Sequence, residues 1–268
     1  MGCFCTNRHS NDIAVFGALA ILTGALYSMC FIPSGWARRC PWATVHGRSC
    51  LGGSMRVSAF VDGFNLYHAL DGAGQDYLKW IDLRRLCQVF APTPDHELGS
   101  VYYFSAFATW RPEAHRRHKA FVLALAAVGV TTVMGKFKEK DRVCWNCRFR
   151  WKDHEEKETD VNIALHLLRD AYQDRFDRAL LVSGDSDLAP AVRMVRELFP
   201  QKAVRIIAPY GRDHSMELVD AAGGVAEARR MRLIHLERSL LPAEIVGADG
   251  SVVTTRPAKY EPPARQSA

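Results

Sequence analysis

Cysteine is scarce in the part of the chain best patterned for folding. Of eight cysteines, Cys3, Cys5, Cys30, Cys40 and Cys50 fall in the first fifty residues, and only Cys87, Cys144 and Cys147 follow. A secreted scaffold stapled by disulfides spreads its cysteines through the folded part, so that class is excluded. Excess charge is modest too. Lys and Arg number 35 against 29 Asp and Glu, and the net +6 suits an anionic partner without establishing one. No G-x-G-x-x-G follows the first strand candidate, which argues against a dinucleotide-binding oxidoreductase. Two residues after Asp62 stands Phe64, where a phosphatase forming an aspartyl-phosphate needs a second aspartate. No internal repeat is present. What remains is an ordinary globular composition, 48% hydrophobic and 24% charged over 268 residues, enough for one sizeable core.

Only one long uncharged run occurs, Ile13 to Ile32, ended by Pro33. Twenty helical residues at ~1.5 Å each just cross a ~30 Å hydrocarbon layer. Arg38, Arg39 and Arg48 follow the run, so a spanning segment would leave the rest of the chain in the cytoplasm. No A-x-A-like cleavage site follows it. The other reading of residues 1–54 is a reading frame begun upstream of the true initiator, because Met55 directly precedes a clean strand pattern. The expectations are therefore a cytoplasmic protein or a membrane-anchored one. In both, the folded domain starts near Met55 and runs to about residue 240.

From Met55 onward, short β-branched runs alternate with longer helical patterns, which predicts an α/β fold. It is expected to be a Rossmann-like, mostly parallel sheet with helices on both faces. Strands are expected at Val57–Val61, Ser100–Ala106, Val130–Gly135, Arg178–Val182, Val204–Ala208 and Arg232–His235. Helices are expected at Leu83–Phe90, Pro112–Val128, Asp160–Tyr172, Leu188–Phe199 and, more weakly, Ser215–Ala228. The basic run Arg111 to Lys119 reads as a solvated helix face. Pro242, Pro257, Pro262 and Pro263 make residues 241–268 read as a flexible tail.

Three acidic sites map to the carboxyl edge of this sheet, where open parallel sheets bind ligands. Asp62 ends the first strand in Val61-Asp-Gly-Phe-Asn65, and Asp185 and Asp187 follow the fourth in Val182-Ser-Gly-Asp-Ser-Asp-Leu188. Asp160 opens a helix in Glu156-Lys-Glu-Thr-Asp-Val-Asn162. Taken singly, each aspartate reads as readily as a helix cap or a turn residue. Together they predict carboxylates that repel one another unless a cation sits between them. Oxygen donors without adjacent thiolate or imidazole suit Mg²⁺ or Mn²⁺ better than zinc.

Those three motifs, in that order, resemble the NYN domain, the LabA-like branch of the PIN-like nuclease superfamily, over about Arg56 to Leu236. The resemblance implies a metal-dependent nuclease acting on RNA. Asp62, Asp160 and Asp185 would be metal-binding acids, Asp187 a fourth catalytic candidate and Asn65 a supporting polar group. The chain departs from the family pattern twice. Many relatives carry Lys-Gly-x-Asp where this chain has Lys157-Glu-Thr-Asp160, and often an acid where this chain has His166. A non-catalytic nucleic-acid-binding or regulatory module with a vestigial acidic pocket is the alternative.

An insertion at 136–157 carries eight Lys or Arg and five Asp or Glu, interleaved with Phe137, Trp145, Phe149 and Trp151. Cations meet phosphates while aromatic faces stack on unpaired bases. The alternation Arg148-Phe-Arg-Trp-Lys152 predicts an extended ribbon with one basic and one aromatic face. Lys136, Lys138, Arg148, Arg150, Trp151 and Lys152 are the expected nucleic-acid contacts; a solvated basic face is the plainer reading. Cys144 and Cys147 supply two of the four ligands of a structural Zn²⁺, with His154 a third candidate, and the rest could come from a second subunit of a homo-oligomer. A reduced thiol pair and a redox disulfide are the other readings.

Overall fold

The computed structural model describes residues 54–263. The hydrophobic run Ile13 to Ile32 lies outside them, and among the described residues no helix is long and apolar enough to cross a membrane.

The chain order is β1 (Met55–Asp62), α1 (Gly63–Gly72), α2 (Leu83–Phe90), β2 (His96–Ser105), α3 (Pro112–Ala127) and β3 (Thr131–Met134). A ribbon of β4 (Lys136–Val143) and β5 (Arg150–Lys157) follows, then α4 (Thr159–Tyr172), β6 (Arg178–Val182), α5 (Ala189–Leu198) and β7 (Ala203–Ala208). The last elements are α6 (Met216–Ala222), β8 (Ala228–Arg230), α7 (Leu233–Glu237), β9 (Glu244–Val246) and β10 (Val252–Thr255). Six strands form one sheet in the order β3-β2-β1-β6-β7-β8, and every neighbouring pair is parallel. This is the expected α/β sheet.

Period-two alternation divides the strands between two cores. On one face Val57, Ala59 and Val61 of β1 and Tyr103 of β2 pack with Leu66 of α1, Leu86 of α2 and Leu125 of α3. On the other, Phe60, Phe104, Leu181 and Ile206 pack with Ile163 of α4, Val192 of α5 and Leu218 of α6. Burial on both faces is why Leu180-Leu-Val182 reads as continuous apolar sequence.

Four sequence expectations are corrected. Arg232–His235, read as a strand, lies largely in α7. Its apolar residues fall at Leu233 and Leu236, an i, i+3 spacing that turns one helical face inward. The sixth strand is instead Ala228–Arg230, a charged edge strand whose pairing with Ile206 to Ala208 leaves no hydrophobic signature. Helix α1 was not among the expected elements; Asp62 caps it directly by accepting from Asn65 N at 2.9 Å. Residues 241–263 fold back rather than trail away. β9 and β10 pair, and Leu241, Ile245 and Tyr260 are buried in the first core.

Backbone crowding explains two local features. A Cβ at Gly63 would lie 2.6 Å from Phe104 O, so only glycine lets α1 start against β2. Glu158, before α4, adopts φ 80°, the left-handed region that side chains disfavour. This is the position at which the family pattern Lys-Gly-x-Asp carries glycine.

Candidate active site

The strand order reverses beside β1: the chain runs outward through β2 and β3, then returns to β6 on the other side. A parallel sheet opens a crevice at such a switch point, outside the carboxyl ends of the two strands. Asp62 ends β1, and Ser183-Gly-Asp185 leaves β6 directly opposite. An open cavity of about 640 Å³ lies there, lined by Asp62, Asn65, Glu156, Asp160 and Asp185 among others.

Hydrogen bonds lock the two strand ends together. Asp62, 3% exposed, accepts from Asn65 N through Oδ1 and from the Ser183 hydroxyl through Oδ2 at 2.8 Å. Ser183 Oγ in turn accepts from Asp185 N at 3.0 Å, and Asn65 Oδ1 accepts from Gly184 N at 3.1 Å. Asn65 thus ties the β6 loop to α1. Asp187 is exposed outside the cavity lining, its N–H donating to Asp185 Oδ1 at 3.0 Å.

Electrostatics make this a costly place for negative charge. Burial, with smaller contributions from Asp160 and Asp185, raises the Asp62 carboxyl to about 6 despite the lowering effect of its two hydrogen bonds. Asp160 is raised by burial and then by Asp185 and Asp187. Glu156, which the sequence reading passed over, is raised to about 7 by burial and by repulsion from Asp62 and Asp160. Its Oε1 is buried with no hydrogen-bond partner. No local pattern in the sequence singles out Glu156, because residues 153–157 are all half-buried whichever face of the ribbon they take.

A hard divalent cation fits this donor set. It consists of oxygen atoms, one of them orphaned, on carboxylates whose mutual repulsion an ion would relieve. Among the described residues, no three His, Cys, Asp or Glu side chains stand together as a ready-made metal cage. His166 takes no part: its Nδ1 lies 2.8 Å from Asn162 O and its ring packs on Tyr102 and Phe104.

The insertion is an antiparallel ribbon, β4 on β5. Phe149 and Trp151 stack at 6.3 Å, but the extended run expected over Arg148–Lys152 begins only at Arg150, because Arg148 takes φ 60° in the connecting turn. Its charges are largely spoken for: Lys136 pairs with Glu158, Lys140 with Glu155, Arg142 with Asp153 and Lys152 with Glu139. Lys138, Arg148 and Arg150 carry no ion pair among the described residues. Cys144 is half-buried and Cys147 exposed in the connecting turn. His154 cannot join them. It pairs with Glu139, four rungs or ~13 Å from that turn, and its ring stacks on Trp110 at 3.7 Å.

The fold and this crevice define a doubly wound α/β protein with an acidic pocket at its switch point. The chain belongs to the NYN domain family, whose model matches residues 56–226. It is 28% identical over 177 residues to the 6-hydroxy-3-succinoylpyridine 3-monooxygenase HspA of Pseudomonas putida, covering 53% of this chain and 56% of that protein. It is also 28% identical over 142 residues to the low amplitude and bright protein LabA of Synechococcus elongatus, covering 53% of this chain and 68% of that protein. The chain thus spans little more than half the length of the first relative. A crystal structure of a protein of unknown function from Vibrio parahaemolyticus aligns at a TM-score of 0.46 and 21% identity, covering 70% of this chain and 97% of that one.

Proposed function

We propose that the protein is a Mg²⁺- or Mn²⁺-dependent nuclease that hydrolyses phosphodiester bonds of RNA in the acidic cavity. The observation that carries this reading is that Asp62, Glu156, Asp160 and Asp185 line one cavity at the switch point. Family membership supports the reaction class, and the choice of RNA rests on it alone. Asp62, Asp160 and Asp185 would hold the ion. When bound, such an ion neutralises charge on the phosphate and acidifies water.

The chain's own groups divide the remaining work. Ser183 and Asn65 N hold the Asp62 carboxylate in one orientation, so its charge faces the cavity without reorganisation. Asn65 fixes the loop bearing Asp185 through Gly184 N. Asp187 acts at a distance, adding negative potential at Asp160. Glu156 Oε1 is the candidate proton acceptor for the attacking water, since a carboxyl near neutrality can take and return a proton. Lys138, Arg148, Arg150 and the exposed rings of Phe149 and Trp151 are the surface for a single strand.

The test is cleavage of single-stranded RNA by the full chain with Mg²⁺, Mn²⁺ or EDTA. Cleavage is expected with either metal, and none with EDTA or in Asp62→Asn and Asp185→Asn. Cleavage that survives both substitutions would overturn the site. The second reading, a non-catalytic nucleic-acid-binding module, draws on the want of a ready-made cage among the described residues. Binding without cleavage under every metal condition would establish it.

A further inference from the structure

A second cavity adjoins the acidic one. It encloses about 280 Å³ between α1, α3, the end of β2 and the base of the ribbon. Phe64 and His68 line both cavities, so they form a shared wall. Aromatic and imidazole rings make up about half of its walls. Trp110 stacks on His154 at an interplanar angle of 9° and meets Phe137 edge-on at 4.7 Å, while Tyr103 and Phe121 close the interior side.

Polar groups interrupt this lining. Tyr103 Oη and His118 Nε2 lie 3.2 Å apart, and Arg117 bonds the Tyr260 side chain through its guanidinium while its Nε is buried with no hydrogen-bond partner. Both Arg117 and His118 belong to the run that reads in sequence as a solvated helix face. The structure turns them into the cavity. A buried N–H donor without an acceptor is costly, and a ligand that brings an acceptor relieves it.

We propose that this cavity is a base-binding subsite. It receives one planar heteroaromatic ring, a nucleobase of the RNA strand, swung out of its stack beside the phosphate held in the acidic cavity. The proposal rests on the nuclease reading for the identity of the strand. Three observations carry it. Aromatic walls suit a π-face regardless of base identity. The Arg117 Nε donor suits the ring-nitrogen or carbonyl acceptor that every base carries on its edge. The shared Phe64 and His68 wall sets ring and phosphate in adjoining compartments, as neighbouring parts of one nucleotide require. The volume accommodates a single ring system and not a duplex, which limits the substrate to unpaired or extruded nucleotides.

The experiment measures equilibrium binding of ligands to the full chain by calorimetry, in EDTA so that no cleavage intervenes. The probes are the four ribonucleoside 5′-monophosphates, ribose 5-phosphate and nicotinic acid. Nucleotides are expected to bind and ribose 5-phosphate is not. Trp110→Ala, at a partly exposed position, is expected to weaken nucleotide binding about 5- to 150-fold, the range for removing one stacking partner. Ala108→Phe, which fills the cavity without removing an aromatic wall, is expected to abolish it while the circular dichroism spectrum and melting temperature hold.

Equal binding of ribose 5-phosphate, or undiminished nucleotide binding by Ala108→Phe, would overturn the proposal. So would binding of nicotinic acid without any nucleotide, which would assign the cavity to a free heteroaromatic acid. Failure of the nuclease reading shows separately, as nucleotide binding by a chain that cleaves nothing. Cleavage with no ring binding defeats the subsite alone.

Discussion

The Ser183 hydroxyl donates to Asp62 Oδ2 across 2.8 Å in space and 121 residues of sequence. One short bond therefore joins the carboxyl ends of β1 and β6 at the point where the strand order reverses. It lowers the Asp62 carboxyl against the burial that raises it. Ser183→Ala removes a donor from a buried carboxylate and leaves Asp185 N without its acceptor. It is expected to destabilise the fold by about 1–3 kcal/mol at pH 8, read by urea denaturation. An unchanged midpoint would mean water replaces the hydroxyl.

Repelling carboxylates should make the cavity respond to cations even without substrate. A binder of the folded state at a hundredfold its dissociation constant adds about 2.7 kcal/mol. Protein stripped with EDTA is therefore expected to melt about 5 °C or more higher in saturating Mn²⁺, by differential scanning calorimetry. Asp62→Asn with Asp185→Asn should lose most of that shift. Retention of the shift in the double variant would place the ion elsewhere.

His118 offers a pH-dependent effect away from the acids. Burial, and then His115, hold its imidazole down at about 4, so it is neutral in the folded chain at neutral pH. The unfolded chain protonates it near 6.5, and so binds more protons between those values. Stability contributed by His118 is thus complete above about 6.5 and lost as pH falls towards about 4. His118→Gln is expected to flatten the stability profile over that window by about 3 kcal/mol. Parallel wild-type and variant profiles in urea titrations from pH 7.5 to 4 would refute it.

Glu158 sits in the left-handed region before α4, where a side chain costs roughly 1–2 kcal/mol. Its ion pair with Lys136 is exposed and contributes ~0–1 kcal/mol. Glu158→Gly is expected to raise the melting temperature by about 1–3 °C without altering the acidic cavity. A lower melting temperature would show that the ion pair outweighs the backbone strain.

Lys138, Arg148 and Arg150 are the ribbon cations without an intramolecular partner among the described residues. If they meet phosphates, changing all three to alanine weakens RNA binding. The slope of log affinity against log salt should then fall by about 0.7 for each phosphate no longer neutralised. Substituting Lys140 and Arg142, already paired with Glu155 and Asp153, should change that slope little. Fluorescence anisotropy at four salt concentrations distinguishes the two sets, and equal effects would reject the distinction.

Much of the core was legible in order along the chain. Arg178–Val182 coincides with β6 because burial on both faces writes a continuous apolar run, and Leu83–Phe90 with α2 because one face is buried at helical spacing. Where the pattern was short or mixed, tertiary pairing decided. Ala228-Arg-Arg230 has no strand signature, and it is a strand because the β7 edge offers hydrogen bonds. Leu241, Ile245 and Tyr260 are spaced too irregularly for any period, yet the first core takes all three. Glu156 lay hidden among alternating charges, and only the ribbon's docking singles it out as the one turned towards Asp62.

By itself the amino-acid order determined the parallel sheet, the ends of its main strands and the aspartates standing at those ends. Hydrophobic periodicity and capping are local properties, written within a few residues. Only the tertiary structure decided which carboxylates share a cavity, that His154 stacks on Trp110 far from the two cysteines, and that Arg117 and His118 turn into a cavity beside the acids. Those outcomes depend on strand order and on how the ribbon lies across α1 and α3, relationships between residues far apart in the chain that no local pattern encodes.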